Sequence, residues 1–267
     1  METAYALRYP FQSTSTMASS KQSGIEASAA SVLTRAIQYD TEKRYTSALV
    51  CYQEGIQLLM DALKGVQDDV RRDHLRNRAK TYIDRAEKVK ELVQMEKDAG
   101  TYHEQIQIED KSTGHSYESL FGHLLDNRVT SIEVDDPYIR AVHQQAQNFV
   151  QLCELAVKRC PDLNKITLTT GLDQNDRQSQ IERINLIKQS LAERGVTLTL
   201  EFSDTLHDRE IRLSSGWIIK IGRGLSYFRP TPNKFCLGTF DYDLRQCFET
   251  TVDIFHRKVL HTPSQKT

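Results

Sequence analysis

The residues best equipped for chemistry lie between His207 and Lys234. Six cations, Arg209, Arg212, Lys220, Arg223, Arg229 and Lys234, stand there against two acids, Asp208 and Glu210. Trp217, Tyr227 and Phe228 are interleaved with them. Clustered Lys and Arg beside aromatic side chains suit an anionic membrane surface, at about 1 kcal/mol per basic residue. The same groups could hold nucleic-acid phosphates. Equally, Arg212 and Lys220 could pair with acids across a hairpin whose Trp217 is core. A second set, of opposite sign, lies at 79–91. At helical spacing Ala79, Ile83, Ala86 and Lys90 share one face, where small alanines beside one isoleucine make a shallow trough for a partner helix. Asp84, Glu87 and Glu91 rim it and would select a partner whose apolar residues alternate with Arg or Lys. The plainer alternative makes Ile83 core and the acids a solvated face.

Other chemistries lack their residues. The sequence has no GxGxxG or Walker loop, no GxSxG elbow and no Cys/His spacing that fits zinc, so no cofactor and no metal is expected. Gly222-Arg223-Gly224 reads as a turn after a strand. Five cysteines, an odd number with no CxxC pair, fit reduced thiols in the cytosol. In 267 residues, 35 Lys and Arg meet 36 Asp and Glu, for a net charge of −1. That balance removes the usual reason to expect nucleic-acid binding. No apolar run approaches the roughly 18–20 residues that span a bilayer, and the N-terminus lacks the pattern of a secretory signal.

Two kinds of element must position these residues. Residues 1–24, rich in Ser, Thr and Gln, read as a disordered tail. From 25 to 98 the spacing predicts three helices. The first carries Val32, Leu33, Ala36 and Ile37. The second carries Tyr45, Ala48, Leu49, Tyr52, Ile56, Leu59 and Leu63, and the third Leu75, Ala79, Tyr82, Ala86, Val89 and Val93. Short connections make this an antiparallel three-helix bundle. After a linker at 99–104, β-like runs at 105–109, 130–134, 165–169 and 196–202 alternate with helical patterns at 117–125, 139–158 and 177–194. Two more runs, 210–213 and 216–221, form a hairpin. This is an α/β unit over 105–258, with a tail at 259–267.

Ala36–Leu59 and Leu75–Lys90, with Tyr82, Asp84, Arg85, Ala86 and Glu87 in a Tyr-x-Asp-Arg-Ala-Glu run, resemble the MIT domain, the microtubule-interacting and trafficking module. The resemblance implies binding of helical C-terminal tails of ESCRT-III subunits. The residue at Ile83 would pack on the partner's leucines, and Asp84 and Glu87 would pair with its basic residues. Asp135–Arg140, Leu206–Ile211, Gly216–Leu225 and Glu249–His256 resemble the phospholipase D-like C-terminal domain of MIT domain-containing proteins. That implies a two-domain adaptor for abscission, the final cut of cytokinesis. Such a protein would bind phosphoinositide-containing membranes, here through Arg209, Arg212, Lys220, Arg223 and Arg229, and would form a homodimer through this domain. It would be cytoplasmic and peripheral to membranes, at the midbody in division and at late endosomes.

Phospholipase D chemistry needs two HxKxxxxD motifs, so that one His attacks phosphorus and the other protonates the leaving oxygen. Here His207 and Arg209 fill the His and Lys positions, but Ser214 stands where Asp belongs. His256-Arg257-Lys258 mimics a second copy, with Pro263 in place of its acid. The motif therefore reads as degenerate and the protein as no enzyme. A phosphodiesterase using His207 and Arg209 is the rival.

Overall fold

The computed structural model describes residues 14–140 and 143–257, with side chains for 23–140 and 146–257. Residues 1–13 of the tail expected at 1–24, and the tail expected at 259–267, lie outside the described residues. Two compact units divide between Leu92 and Val93, earlier than the expected boundary at 98 and inside a continuous helix.

The first unit is built from α1 (Thr14–Thr41), α2 (Tyr45–Leu63) and α3 (Asp69–Ala99) up to Leu92. Residues 14–24, expected to be disordered, are instead the start of α1. Ala29, Leu33 and Ala36 already anchor this helix in the core, so extending it outward needs propagation and no new nucleus. Ile37, expected in the stripe, faces solvent, and Asp40 takes the buried position. The stripes of α2 and α3 pack as their spacing predicts, around Tyr52, Leu59, Leu75 and Val89. A Cβ on Gly55 would lie 2.6 Å from Leu33 Cγ, so glycine is what lets α1 and α2 approach so closely. Buried Asp40 accepts bonds from Arg85 (Nε 2.7 Å, Nη2 2.6 Å) and from the Tyr52 hydroxyl (2.9 Å), which ties the three helices together.

The second unit is a seven-stranded sheet in the order β1-β7-β6-β5-β2-β3-β4. Its strands are β1 (His103–Ile108), β2 (Ser131–Asp135), β3 (Lys165–Thr170), β4 (Thr197–Phe202), β5 (Glu210–Leu213), β6 (Trp217–Ile221) and β7 (Thr250–His256). The first six match the expected runs within a few residues. Parallel pairing is confined to β2–β3–β4, whose crossovers are α5 (His143–Arg159) and α6 (Arg177–Ala192). Helix α4 (Tyr117–Phe121) continues as a 3-10 turn to Leu124. One face of the sheet is buried, at positions such as Ile106, Val134, Leu168, Ile219 and Ile254, while the other carries polar residues.

In place of the expected linker, the last turns of α3 belong to the second unit. Lys97 Nζ sits 4.6 Å from the centre of the Trp217 ring, and His256 meets the same ring edge-on at 4.8 Å. Burial, helped by the Lys97 charge, pulls the His256 pKa below its ordinary value. The folded state therefore binds fewer protons than the unfolded chain just below pH 6.5, and stability falls as pH drops through that range. Thermal unfolding followed from pH 7.5 to 5.5 should show this loss, and His256→Gln should shrink it.

Candidate functional site

Chain direction and register bring a defined set of loops to one end of the sheet. The carboxyl ends of parallel β2, β3 and β4 lie there, with the start of β5, the end of β6 and the start of β7. This is where α/β sheets bind ligands. His207, Asp208, Arg209, Lys220, Gly222, Thr251 and Asp253 line a shallow open depression of about 330 Å³. Arg209 lies with its guanidinium 4.5 Å from the Tyr138 ring centre, and its Nη1 donates to the Gly222 carbonyl at 2.5 Å. Its buried Nε has no acceptor among the described residues.

The turn after β6 is held from below. Asp136 is buried and has no cation in contact with it among the described residues. Its Oδ2 accepts the Leu225 N–H at 2.8 Å and its Oδ1 the Tyr138 N–H at 2.9 Å. Burial raises its pKa, while those two amides and the Arg209 charge pull it down. Gly222-Arg223-Gly224 is indeed a turn, closed by the Gly224 N–H on the Ile221 carbonyl at 2.8 Å. Arg223 and Arg229 both lie against Phe248, at 4.8 and 4.4 Å from the ring centre.

The basic segment is smaller than its sequence implies. Arg212 bonds Glu133 (2.9 Å), Asp135 (2.6 Å) and Glu210 (2.5 Å), so it is spent inside the protein and is withdrawn as a lipid ligand. Lys220 pairs with Glu210 at 3.1 Å and Arg229 with Asp110 at 2.6 Å. Arg209, Arg223 and Lys234 hold no carboxylate among the described residues. Trp217, Tyr227 and Phe228, the interleaved aromatics, are all core. The most exposed aromatics among the described residues are Phe235 and Phe240, passed over in the sequence although Pro230, Pro232 and Gly238 already mark their stretch as one outside regular helix or strand.

The degenerate motif fares no better as a catalytic pair. His207 is exposed and bonds no other described residue. Ser214 lies at the far end of β5, where its Oγ accepts the Thr130 and Ser131 N–H groups at 2.9 and 3.2 Å. A side chain at 214 therefore could not reach His207, so the missing acid is a difference from the motif without bearing on how the imidazole is oriented. His256 ends β7, at the opposite end of the sheet from His207, and the two imidazoles do not meet.

On α3 the trough is narrower than expected. Ala79 is core, at 2% exposure, because its position also belongs to the buried stripe, and Ala86 packs half-buried against the same core. Ile83 remains 37% exposed. Asp84, Glu87 and Glu91 are exposed and form no ion pair among the described residues. Arg85, within the same run, is turned inward to Asp40.

Comparison with known proteins agrees with this division. Residues 26–91 match the MIT (microtubule interacting and transport) domain, and residues 114–256 match the phospholipase D-like domain at the C-terminus of MIT. The chain is 47% identical over 238 residues to mouse MIT domain-containing protein 1, covering 89% of this chain and 95% of that protein. With both domains matched in order and that identity over nearly the whole length, the chain belongs to the family of MIT domain-containing proteins that end in a phospholipase D-like domain.

Proposed function

We propose that the protein is a non-enzymatic adaptor that ties ESCRT-III subunits to acidic membrane during abscission. The first unit takes the C-terminal helical tail of an ESCRT-III subunit on α3. The second lays Arg209, Arg223 and Lys234 against anionic, phosphoinositide-containing lipid and pairs with a second copy. Two weak contacts on one chain, doubled in a dimer, bind far better than either alone through effective concentration. The protein works in the cytoplasm, peripheral to membranes, at the midbody and late endosomes. No turnover is expected, because the exposed His207 has, among the described residues, no second histidine beside it to protonate a leaving group.

The observation that carries this reading is Ile83, a large apolar side chain left 37% exposed among three carboxylates that form no ion pair among the described residues, on an MIT helix. It is the residue to test. In the full chain, Ile83→Asp should weaken binding of a fluorescent basic amphipathic tail peptide by roughly 30-fold or more, the loss expected at an interface hot spot. Its unfolding temperature should stay near wild type. An unchanged affinity would remove α3 as the docking face. Hydrolysis of phospholipid that disappears in His207→Ala would instead support the phosphodiesterase.

A further inference from the structure

We propose that residues 230–240 form a preorganised loop that inserts into the acidic bilayer and anchors the second unit there. This rests on the membrane reading above and adds the apolar element which that reading lacks. Phe235, Leu237 and Phe240 are 99%, 87% and 84% exposed. Three such side chains within six residues are far from the scattered single exposures of an ordinary surface.

The loop is built and held. Its base is a short antiparallel closure, with Phe228 bridged to Cys247 and the Arg229 N–H on the Gln246 carbonyl at 2.8 Å. Arg245 is buried and donates from Nε to the Gly238 carbonyl (2.6 Å) and from Nη2 to that of Thr239 (2.5 Å). Gly238 has φ +82, and a Cβ there would lie 2.9 Å from the Leu244 carbonyl oxygen. Asn233 Oδ1 accepts the Phe235 N–H at 2.8 Å, and Thr239 donates to the Asn233 carbonyl at 3.3 Å. The carbonyls at the bend are thus satisfied from inside while the apolar side chains point out. Because the backbone is already ordered, binding pays little further ordering entropy.

Charge selects the occupant. From Arg229 to Phe240 there are two cations, Arg229 and Lys234, and no acid. Just beyond, the carboxylate of Asp243 is engaged by the Ser116 N–H and Ser119 hydroxyl, and that of Asp241 by the Asp243 N–H. Arg229 at the loop base and Arg223 of the basic patch share the Phe248 ring, so the base of the loop adjoins the patch. Arg229 is already paired with Asp110, so Lys234 is the cation that stands among the apolar tips, and an apolar loop carrying a cation and no acid matches acyl chains under anionic headgroups. A second copy of the chain fits less well. Three side chains of this size offer roughly 500 Å², short of the roughly 800 Å² per partner of a standard interface.

The test uses the full chain and two kinds of vesicle, phosphatidylcholine alone and phosphatidylcholine with phosphatidylserine and a phosphoinositide. Wild type should float only with the acidic vesicles. F235S/L237S/F240S should cut that binding by at least tenfold, about the value of one partly buried apolar side chain, with unfolding temperature unchanged. Phe235→Trp should be quenched by lipids brominated in their acyl chains. Arg223→Glu, which leaves the loop intact, should weaken flotation and make what binding remains less sensitive to salt. If wild type floats and the triple variant floats equally, the insertion is wrong while the membrane reading stands. Should wild type float with neither vesicle, both fall. Loss of a dimer in the triple variant with flotation retained would make the loop a protein interface and overturn the proposal.

Discussion

Arg85→Ala is expected to destabilise the first unit by about 2–3 kcal/mol, the range for hydrogen bonds to a charged partner when one side is removed. The argument starts from Asp40, whose carboxylate is 9% exposed and faces three helices. Arg85 supplies two of its bonds and Tyr52 the third. Without Arg85 the charge stays buried with one hydroxyl for company. The guanidinium is itself partly solvated, with 44% of its side chain exposed, which is why the expected loss stops short of that for a fully buried pair. The same geometry sets a pH dependence. The Arg85 bonds hold the Asp40 carboxyl below its ordinary pKa of 3.8, against the opposing effect of burial. Its contribution is therefore present above about pH 4 and is lost as pH falls through the lowered folded value. Tyr52 moves the other way, pushed up to about 12 by burial and by its bond to Asp40. Chemical denaturation at pH 7 should show the full difference between wild type and variant, and the gap should narrow in acid. A constant gap would mean that Arg85 acts through packing and not through charge. Because Arg85 sits beside Ile83 and Asp84 on α3, the variant also separates fold from docking. Tail binding should survive wherever the bundle remains folded.

This residue shows how far the sequence could be read. Helical spacing gave the stripes of α2 and α3 because they are local properties of a period of 3.6 residues. It could not tell whether Ala79 served the core or the trough, since the two stripes overlap there and only the packed partner decides. Nor could it see that Arg85 crosses to Asp40, 45 residues earlier. Arg212 failed for the same reason, its acids Glu133 and Asp135 standing 79 and 77 residues away on the neighbouring strand. β7 was overlooked although Thr250, Val252 and Ile254 alternate as buried residues. That period of two was present in the chain, interrupted only by the polar outward positions of a sheet with one wet face. Its place between β1 and β6 is another matter, because insertion of the last strand between the first strand, at the sheet edge, and the β5–β6 hairpin leaves no local trace.

Gly224→Ala should be the most damaging single change in the second unit, at on the order of 3–5 kcal/mol from left-handed backbone strain and lost hydrogen bonds together. Gly224 has φ +62, and a Cβ there would lie 2.3 Å from Asp136 Oδ2. Something must move, and the carboxylate is what stands in the way. When it moves, the Leu225 and Tyr138 N–H groups lose their buried acceptor. Asp136→Ala should approach this loss by orphaning both amides directly, whereas Asp136→Asn keeps one acceptor oxygen and should fall between. The double variant G224A/D136A distinguishes clash from strain. With the carboxylate gone the added methyl has room, so the double should cost clearly less than the sum of the singles, and additive losses would mean that strain alone governs the turn. Asp136 also opposes Asp40 in acid. Burial raises its folded pKa, so its contribution is present at low pH and lost as pH rises through that raised value. The functional consequence follows from what the turn carries. Arg209 holds the Gly222 carbonyl and Arg223 begins the contact with Phe248. A chain that refolds with this turn displaced should therefore lose affinity for acidic vesicles even at temperatures where its sheet is intact, whereas tail binding by the first unit should not change.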